Sequence, residues 1–179
     1  IKQAADVSSV DGDIRLVIDA TGFLHSKDQS PEKTWRQLDT DLLANAFVVN
    51  TIGPALIMKH FLPRLPRSGK AVFATLSARV GSIEDNHLGG WYGYRASKAA
   101  LNQIVRTAAV ELRRSAPEAI CVAIHPGTVS TPLSAPFSKQ GLNLQTPLQA
   151  ANNLLTVIEQ LALSDNGGFF DWQGKSIPW

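Results

Sequence analysis

The sequence predicts a doubly wound α/β domain, in which a parallel sheet lies between two layers of helices. Short apolar runs that are typical of buried strands alternate along the chain with longer segments of helical periodicity. No internal repeat and no low-complexity segment interrupts this alternation. The chain has 179 residues, of which 44% are hydrophobic and 18% are charged, and this composition fits one domain with an ordinary core.

Four apolar runs are predicted to be the strands of this sheet. In a parallel sheet both faces of a strand are covered, so the strand is apolar at nearly every position. The run 15–20 ends at Thr21-Gly22, and the run 119–124 ends at His125-Pro126-Gly127. The predicted strands are 15–20, 71–76, 119–124 and 169–172.

Helical periodicity fills the intervals between the predicted strands. Ser30-Pro31 is predicted to open a helical stretch, and 39–62 is predicted to be a helix that is apolar on most sides and kinked at Gly53-Pro54. A further helix is predicted over 91–114. The last helix is predicted from Thr146, a capping residue followed by proline, to about Leu163.

Composition and charge exclude several classes of function. The net charge of +2 comes from scattered lysines and arginines, which does not indicate nucleic-acid binding. The four histidines show no metal-ligand spacing, so no metal site is predicted. Cys121 is the only cysteine, which rules out an intrachain disulfide. We expect no apolar stretch of membrane-spanning length and no membrane partner, and cytoplasm is the default location.

Tyr94 and Lys98 are the most informative pair in the chain. On the predicted helix 91–114 their spacing of four residues puts the phenol and the ammonium on one face. A nearby cation favours the phenolate, so we expect the pKa of Tyr94 to lie below its ordinary value of about 10. Such a phenol can exchange a proton with an alcohol or a carbonyl. A solvated helix face is the alternative explanation for an isolated pair of this kind.

Three strand ends carry polar or glycine-bearing segments near this pair. Ligands of open parallel sheets bind at the carboxyl ends of the strands. These ends are 19–22, Ser77 and 126–131, and Asn50 lies in the long apolar helix just before Gly53. Together with Tyr94 and Lys98 they lie where a nicotinamide-dependent active site would need them.

These motifs resemble the short-chain dehydrogenase/reductase family of the classical type, over essentially the whole chain. The family's Tyr-x-x-x-Lys motif falls on Tyr94 and Lys98, its catalytic asparagine on Asn50, and its Pro-Gly motif on Pro126-Gly127. The segments 80–83, 89–92 and 169–172 are similar to the C-factor and sniffer-type carbonyl reductase subgroup.

The resemblance implies a Rossmann-type fold and hydride transfer between NAD or NADP and a small carbonyl or alcohol substrate. It implies that Tyr94 is the general acid/base, that Lys98 lowers the Tyr94 pKa and binds the nicotinamide ribose, and that Asn50 holds a water. A homodimer or homotetramer is expected. The catalytic residues implied are Asn50, Ser77, Tyr94 and Lys98. The cofactor-binding residues implied are Ala20, Thr21, Gly22, Tyr94, Lys98, Pro126, Gly127, Val129 and Thr131.

The chain departs from the family pattern at two of these places. The Asn-Asn-Ala-Gly run that follows the corresponding family strand is replaced by 19–22, Asp-Ala-Thr-Gly, which keeps the glycine and loses both amides. The serine that polarises the substrate carbonyl usually stands three residues before the loop glycine, where this chain has Ala78. Ser77 or Ser82 is the candidate replacement.

The third departure is that the family's first three strands are missing from this sequence. The chain starts at Ile1, and none of its 13 glycines forms a Gly-x-Gly-x-x-Gly phosphate turn. We therefore expect residues 1–179 to be the C-terminal portion of the fold. Alone they should be oligomeric or poorly soluble and should not retain NAD(P)H. A non-catalytic signalling or interaction protein of the C-factor type is the alternative function.

Overall fold

A computed structural model of the chain describes residues 1–10, 12–27, 29–137 and 143–179. Its main sheet has four parallel strands in the order β1, β2, β3, β6. This confirms the predicted parallel sheet. The strands of the main sheet are β1 (Leu16–Asp19), β2 (Ala71–Leu76), β3 (Ala119–His125) and β6 (Phe169–Asp171).

Helices cover both faces of β2 and β3, the central strands of the main sheet. One core cluster joins alternate residues of β2 and β3, such as Phe73 and Cys121, to side chains of α3 and α4. The other joins Val72 and Ile120 to side chains of α5. The α-helices are α1 (Lys2–Ser8), α2 (Thr40–Phe47), α3 (Gly53–Phe61), α4 (Tyr92–Ser115) and α5 (Pro147–Gln160). This arrangement is the doubly wound fold that the sequence predicts.

Two short strands form a second parallel sheet that the sequence did not reveal. They are β4 (Thr128–Val129) and β5 (Leu144–Gln145), and they pair just beyond the carboxyl end of β3. Strands of two residues carry no periodicity, so a pattern-based reading cannot detect them.

The prediction that β1 is covered on both faces is wrong. Val17 and Asp19 face α3 and α4, whereas Leu16 is 42% exposed and Ile18 is 41% exposed. Among the described residues no helix packs on that second face, and β1 is the first strand in the order of the main sheet. Its outer edge therefore presents unpaired backbone groups, a pattern that favours pairing with another strand.

The prediction that a helix opens at Ser30-Pro31 is also wrong. The backbone stays irregular from there to a 3-10 turn at Trp35–Gln37, and α2 begins after Asp39. The Asp39 carboxylate accepts hydrogen bonds from the N–H groups of Asp41 and Leu42, both at 3.0 Å. Asp39 is therefore the capping residue, and Pro31 belongs to the segment before it.

The kink predicted at Gly53-Pro54 is instead a π-helical turn, Val48–Ile52, between α2 and α3. Gly53 N–H donates to the carbonyl of Val48, five residues back, instead of the usual four. This wider turn comes just before Pro54, which has no N–H to donate. The 25-residue helical segment Thr40–Arg64 is, by length and composition alone, apolar enough to cross a membrane. The expectation that no stretch reaches that length was wrong, although core helices pass the same test.

The predictions for α4 and α5 are confirmed. Leu101, Val105 and Leu112 of α4 lie on one buried stripe against the sheet. The helix α5 starts with a complete capping box, in which Thr146 and Gln149 satisfy each other's backbone N–H groups. Its α-helical part ends at Gln160, and the turn Leu163–Asp165 that follows is 3-10.

Two glycines give a matched test of how closely the loop after β2 approaches α4. A Cβ on Gly81 would lie 2.9 Å from both the carbonyl carbon and the Cβ of Lys98. We expect Gly81→Ala to lower the free energy of unfolding by roughly 1–3 kcal/mol, because such overpacking displaces backbone. Gly53→Ala is the control, since its Cβ would meet Val48 O at 3.5 Å and Thr21 Cγ2 at 3.9 Å, which are ordinary van der Waals contacts. That variant should gain roughly 0.5–1 kcal/mol from helix propensity. Urea unfolding measures both, and equal stabilities would contradict the close approach.

Candidate active site

Tyr94 and Lys98 lie in the first two turns of α4, at the carboxyl edge of the sheet. The Lys98 Nζ is 6.0 Å from the centroid of the Tyr94 ring. The helix spacing that the sequence predicts therefore brings the ammonium and the phenol to one place. The arrangement is that of a cation beside an aromatic hydroxyl, and it suits proton exchange.

Lys98 is 2% exposed, although it carries an ammonium group. Its Nζ donates a hydrogen bond to the carbonyl of Leu76 at 2.8 Å, at the end of β2. A Cβ on Gly22 would lie 4.0 Å from the same Nζ, so the glycine turn after β1 borders the ammonium. Burial lowers the pKa of Lys98 to about 8, and the nearby charge of Asp19 opposes that shift.

Asp19 is a buried carboxylate in the position where the family pattern has asparagine. Its Oδ2 accepts a hydrogen bond from the Thr75 hydroxyl at 2.7 Å, and its Oδ1 accepts one from Thr21 N–H at 2.9 Å. The first bond joins β1 to β2, and the second fixes the turn through Thr21. Asp19 thus places Ala20, Thr21 and Gly22 beside Lys98 and supplies a negative charge to that region.

The structure corrects the expectation for the Tyr94 pKa. Burial raises the pKa of Tyr94 to about 12, instead of Lys98 lowering it. A charged phenolate loses hydration when the ring is buried, and an ammonium 6.0 Å away does not compensate for that loss. In this state Tyr94 is a neutral hydroxyl at physiological pH and can donate a proton.

Asn50 lies in the π-helical turn and is fully buried. Its Oδ1 accepts from Phe23 N–H at 2.7 Å, while its Nδ2 donates to the Phe23 carbonyl at 2.8 Å and to Ser97 Oγ at 3.0 Å. Ser97 Oγ in turn donates to the carbonyl of Tyr94 at 2.9 Å. The asparagine therefore ties the segment after β1 to the turn of α4 that carries Tyr94.

The two candidates for the carbonyl-polarising position, Ser77 and Ser82, have distinct environments. The Ser77 hydroxyl donates to Asn102 Oδ1 at 2.7 Å, and Asn102 is two helical turns beyond Tyr94 on α4. The Ser82 hydroxyl donates to the carbonyl of Trp179 at 3.3 Å and accepts from an N–H of its own loop. The structure thus gives both serines partners within the fold, and the catalytic role of Ser77 stays a prediction.

Pro126 and Gly127 make a tight turn beyond β3. Gly127 has a φ of 78°, and a Cβ there would lie 2.3 Å from Gln145 Nε2 and 2.8 Å from Trp172 Cδ1, so only glycine fits. The Pro126 carbonyl accepts a hydrogen bond from Gln145 Nε2 at 3.1 Å. This turn directs β4, with Val129, and then Thr131 along the carboxyl side of the sheet.

The segment after Thr131 folds back over the region of Tyr94. The ring of Phe137 contacts Trp91 edge to face at 5.0 Å and His25 at 5.3 Å, and Trp91 contacts Tyr94 at 6.2 Å. His25 Nε2 lies 3.2 Å from the carbonyl of Pro132. An aromatic wall therefore borders the phenol. Residues 138–142 lie outside the described part of the chain.

Histidines do not contribute a metal centre within the described part of the chain. There, no group of three or more His, Cys, Asp or Glu side chains is arranged to hold a metal ion. His125, next to the Pro-Gly turn, has a buried Nδ1 without a hydrogen-bond partner among these residues. Burial and the charge of Arg79 lower its pKa to about 4, so it is a neutral imidazole.

Sequence reasoning missed two residues that support this site. Ser97 stands between Tyr94 and Lys98 in the motif, and a hydroxyl in a helix interior is the signal that could have identified it. Glu32 accepts a hydrogen bond from Gly93 N–H at 3.2 Å, although the two residues are 61 positions apart. No local pattern links residues at that separation.

The residues around Lys98 fit the ribose end of a nicotinamide nucleotide. Among the described residues, the Leu76 carbonyl is the partner of Lys98 Nζ, and an ammonium has three N–H donors. The remaining donors point to a ligand with hydroxyl groups, and Gly22 leaves room beside them. Lys98, Tyr94 and the turn at Gly22 would hold this group.

A family model and curated relatives match most of the chain. The family model described as enoyl-(acyl carrier protein) reductase matches residues 2–160. C-signal of Myxococcus xanthus is 37% identical over 138 residues, which cover 76% of this chain and 78% of that protein. The 1-hydroxy-2-glutathionyl-2-methyl-3-butene dehydrogenase of Rhodococcus sp. (strain AD45) is 34% identical over 142 residues, covering 79% of this chain and 61% of that protein.

Solved structures show the same architecture. Carbonyl reductase Sniffer of D. melanogaster superposes with a TM-score of 0.84 at 26% identity, covering 99% of this chain and 72% of that chain. The NADPH-bound carbonyl reductase from chicken fatty liver gives a TM-score of 0.84 at 28% identity with the same coverage. The family model, the relatives and the fold together show that this chain belongs to the short-chain dehydrogenase/reductase family of NAD(P)-dependent oxidoreductases, in the carbonyl reductase subgroup.

Proposed function

We propose that the protein reduces a small-molecule carbonyl with NAD(P)H and that Tyr94 is the proton donor. The observation that carries this proposal is the buried Lys98 ammonium, 6.0 Å from the Tyr94 ring and bordered by the Gly22 turn. Packing alone gives no reason to bury an ammonium with unused donors beside a phenol. The NADPH named with the chicken liver structure supports the same cofactor class.

Tyr94 supplies the proton in this mechanism. A nicotinamide cofactor held beside Lys98 would supply the hydride for the carbonyl carbon, and negative charge would then develop on the carbonyl oxygen. Because an alkoxide is a stronger base than a phenolate, Tyr94 can protonate that oxygen even with a pKa near 12. A buried phenol keeps its proton until this charge develops, so it acts as an acid in the reduction direction.

Lys98 and Asn50 support Tyr94 in different ways. Lys98 has a pKa of about 8, so it is mostly protonated at neutral pH and stabilises negative charge as it forms on the phenol. Asn50 holds the Tyr94 turn of α4 through Ser97. All the polar atoms of the Asn50 amide already have partners in the fold, and the water-holding role that the family resemblance assigns to it stays a prediction.

The lining of the site favours an apolar carbonyl compound. The Trp91 ring makes edge-to-face contacts with the rings of Tyr94 and Phe137, and Leu133 lies in the same segment as Phe137. Aromatic walls with few polar groups select ligands by shape. We also propose that the phosphate-binding turn and the strand beside β1 belong to sequence outside these 179 residues, so the assays below use the full-length protein.

Replacement of the general acid is the direct test. We expect Tyr94→Phe to lower kcat at least about 100-fold, because the phenyl ring keeps the packing and removes the proton. NADPH affinity should stay within about threefold, since ring and lysine remain in place. NADPH oxidation with a panel of aromatic and aliphatic ketones measures kcat, and quenching of fluorescence measures binding.

Tyr92→Phe is the matched control for this experiment. Tyr92 is the first residue of α4 and has Ala96, not lysine, four residues on. Its loss should leave kcat unchanged. Turnover of Tyr94→Phe close to that of the wild type would overturn the assignment of Tyr94.

The serines near the loop glycine give a second test. We expect Ser77→Ala and Ser82→Ala to differ sharply, because only one hydroxyl can reach the carbonyl and loss of one oxyanion donor costs roughly 10²–10³ in rate. We expect Ala78→Ser to raise kcat, since it places a hydroxyl at the family's usual position. Two fully active alanine variants, with no gain in Ala78→Ser, would show that the site works without a serine.

The alternative function is a non-catalytic signalling or interaction protein. Ala78 at the usual serine position favours it, and so does the 37% identity to a protein named C-signal. The intact set of Asn50, Tyr94 and Lys98 favours the enzyme. NADPH binding by the full-length protein without turnover of any carbonyl would support the alternative.

We further propose that the protein is a cytoplasmic homodimer or homotetramer. Val48, Ile52 and Leu56 are exposed and lie four residues apart, so they form one apolar stripe on the α2–α3 segment. A second copy of the chain would cover this stripe.

A charge on this stripe tests the oligomer. We expect Ile52→Arg to weaken association at least about tenfold, because an arginine buried without a partner is strongly unfavourable. Leu155→Arg is the control, since Leu155 is comparably exposed on α5. Light scattering over a concentration series measures the mass. An unchanged oligomer in Ile52→Arg would place the interface elsewhere.

A further inference from the structure

The N-terminus of α4 lacks a cap from its own sequence. Trp91 is the N-cap residue, and its side chain makes no capping hydrogen bond. It also has φ 54° and ψ 44°, the left-handed region that a tryptophan rarely occupies. The first N–H groups of a helix have no partner within the helix, so something outside it must hold this turn.

Glu32 supplies acceptors for two of these N–H groups. Its backbone carbonyl accepts a hydrogen bond from Trp91 N–H, and its carboxylate Oε2 accepts one from Gly93 N–H at 3.2 Å. Glu32 is only 6% exposed, so its carboxylate is held inside the protein. A serine, aspartate or asparagine at the N-cap usually performs this role for the second or third N–H of a helix.

The packing around Gly93 shows how closely the two segments fit. A Cβ on Gly93 would lie 2.9 Å from Glu32 Oε1 and 3.3 Å from Leu43 Cδ2. Glu32, Gly93 and Tyr94 line one small cavity, together with Phe23. The carboxylate therefore lies next to the residue that precedes the proposed proton donor.

We propose that Glu32 is a positioning residue for Tyr94, acting through the cap it places on the first turn of α4. The proposal rests on the function proposed above, since it assigns Glu32 a role in orienting that acid. With the turn held, the phenol has one orientation relative to Lys98. Without the Glu32 carboxylate, Gly93 N–H loses its acceptor and the first turn of α4 is held less firmly.

The chemistry of the side chain predicts an order among substitutions. A carboxylate at a helix N-terminus interacts favourably with the helix dipole and with N–H groups. Glutamine keeps the length and one acceptor oxygen, so Glu32→Gln should preserve the cap in weakened form. Glu32→Ala removes the acceptor and leaves Gly93 N–H unsatisfied.

Two measurements on the full-length protein test the proposal. Hydrogen exchange of the peptide spanning the start of α4 should be about 5- to 30-fold faster in Glu32→Ala, the factor that loss of a cap produces. The kcat of carbonyl reduction should fall about 10- to 100-fold, because misplaced catalytic groups cost that much, with KM and NADPH affinity nearly unchanged. In Glu32→Gln, both the hydrogen exchange rate at the start of α4 and the kcat should be close to their wild-type values.

Glu111→Ala is the matched control, because Glu111 is an exposed glutamate on the same helix. It should leave exchange and kcat as in the wild type. Faster exchange in Glu32→Ala with wild-type kcat would overturn the positioning role, and unchanged exchange would overturn the cap itself. If the wild type reduces no carbonyl, the proposed function fails and the positioning role with it, while the exchange measurement still decides whether Glu32 caps α4.

Discussion

The burial of Lys98 is the constraint on which the rest of the site depends. An ammonium inside a protein loses its hydration, so neighbouring groups must compensate. The Leu76 carbonyl accepts a hydrogen bond from the Lys98 ammonium, and the charge of Asp19 limits the fall of the Lys98 pKa. Gly81 lets the loop after β2 approach the Lys98 backbone without a clash. The ends of β1 and β2 and the loop are therefore all fixed by the need to accommodate one side chain of α4.

Pro54 accounts for the π-helical turn that positions Asn50. Pro54 cannot donate a backbone hydrogen bond, and the helix rewinds into a π-helical turn just before it. That turn presents Asn50 to Phe23 on one side and to Ser97 on the other. Two helices and the segment after β1 are thereby joined through one amide. Functional residues recur at π-helical turns because the wider turn exposes a side chain that a regular helix would align with its neighbours.

Features with a local signal were predictable from the sequence, and those that depend on distant contacts were not. The strand β2, the helix α4 and the cap at Thr146 follow from periodicity and residue type over a few positions. Whether a face of β1 is exposed depends on which elements pack against it. An apolar run in the sequence does not show which elements those are. The raised pKa of Tyr94 reflects burial, whereas the spacing to Lys98 reports only the charge. Glu32 joins α4 across 61 positions, beyond the reach of any motif.

Ala78 affects how many hydroxyl groups can donate to the substrate oxygen alongside Tyr94. In the family pattern a serine and the tyrosine share the charge that develops on the substrate oxygen. Here Ser77 and Ser82 already have partners at Asn102 and Trp179, so their hydroxyls must rearrange before they can contribute. If they do not, Tyr94 is left as the hydroxyl donor, and one missing oxyanion donor slows reduction by roughly 10²–10³. On the proposed function, the orientation of Tyr94 on its capped helix therefore matters more here than in an enzyme with both donors.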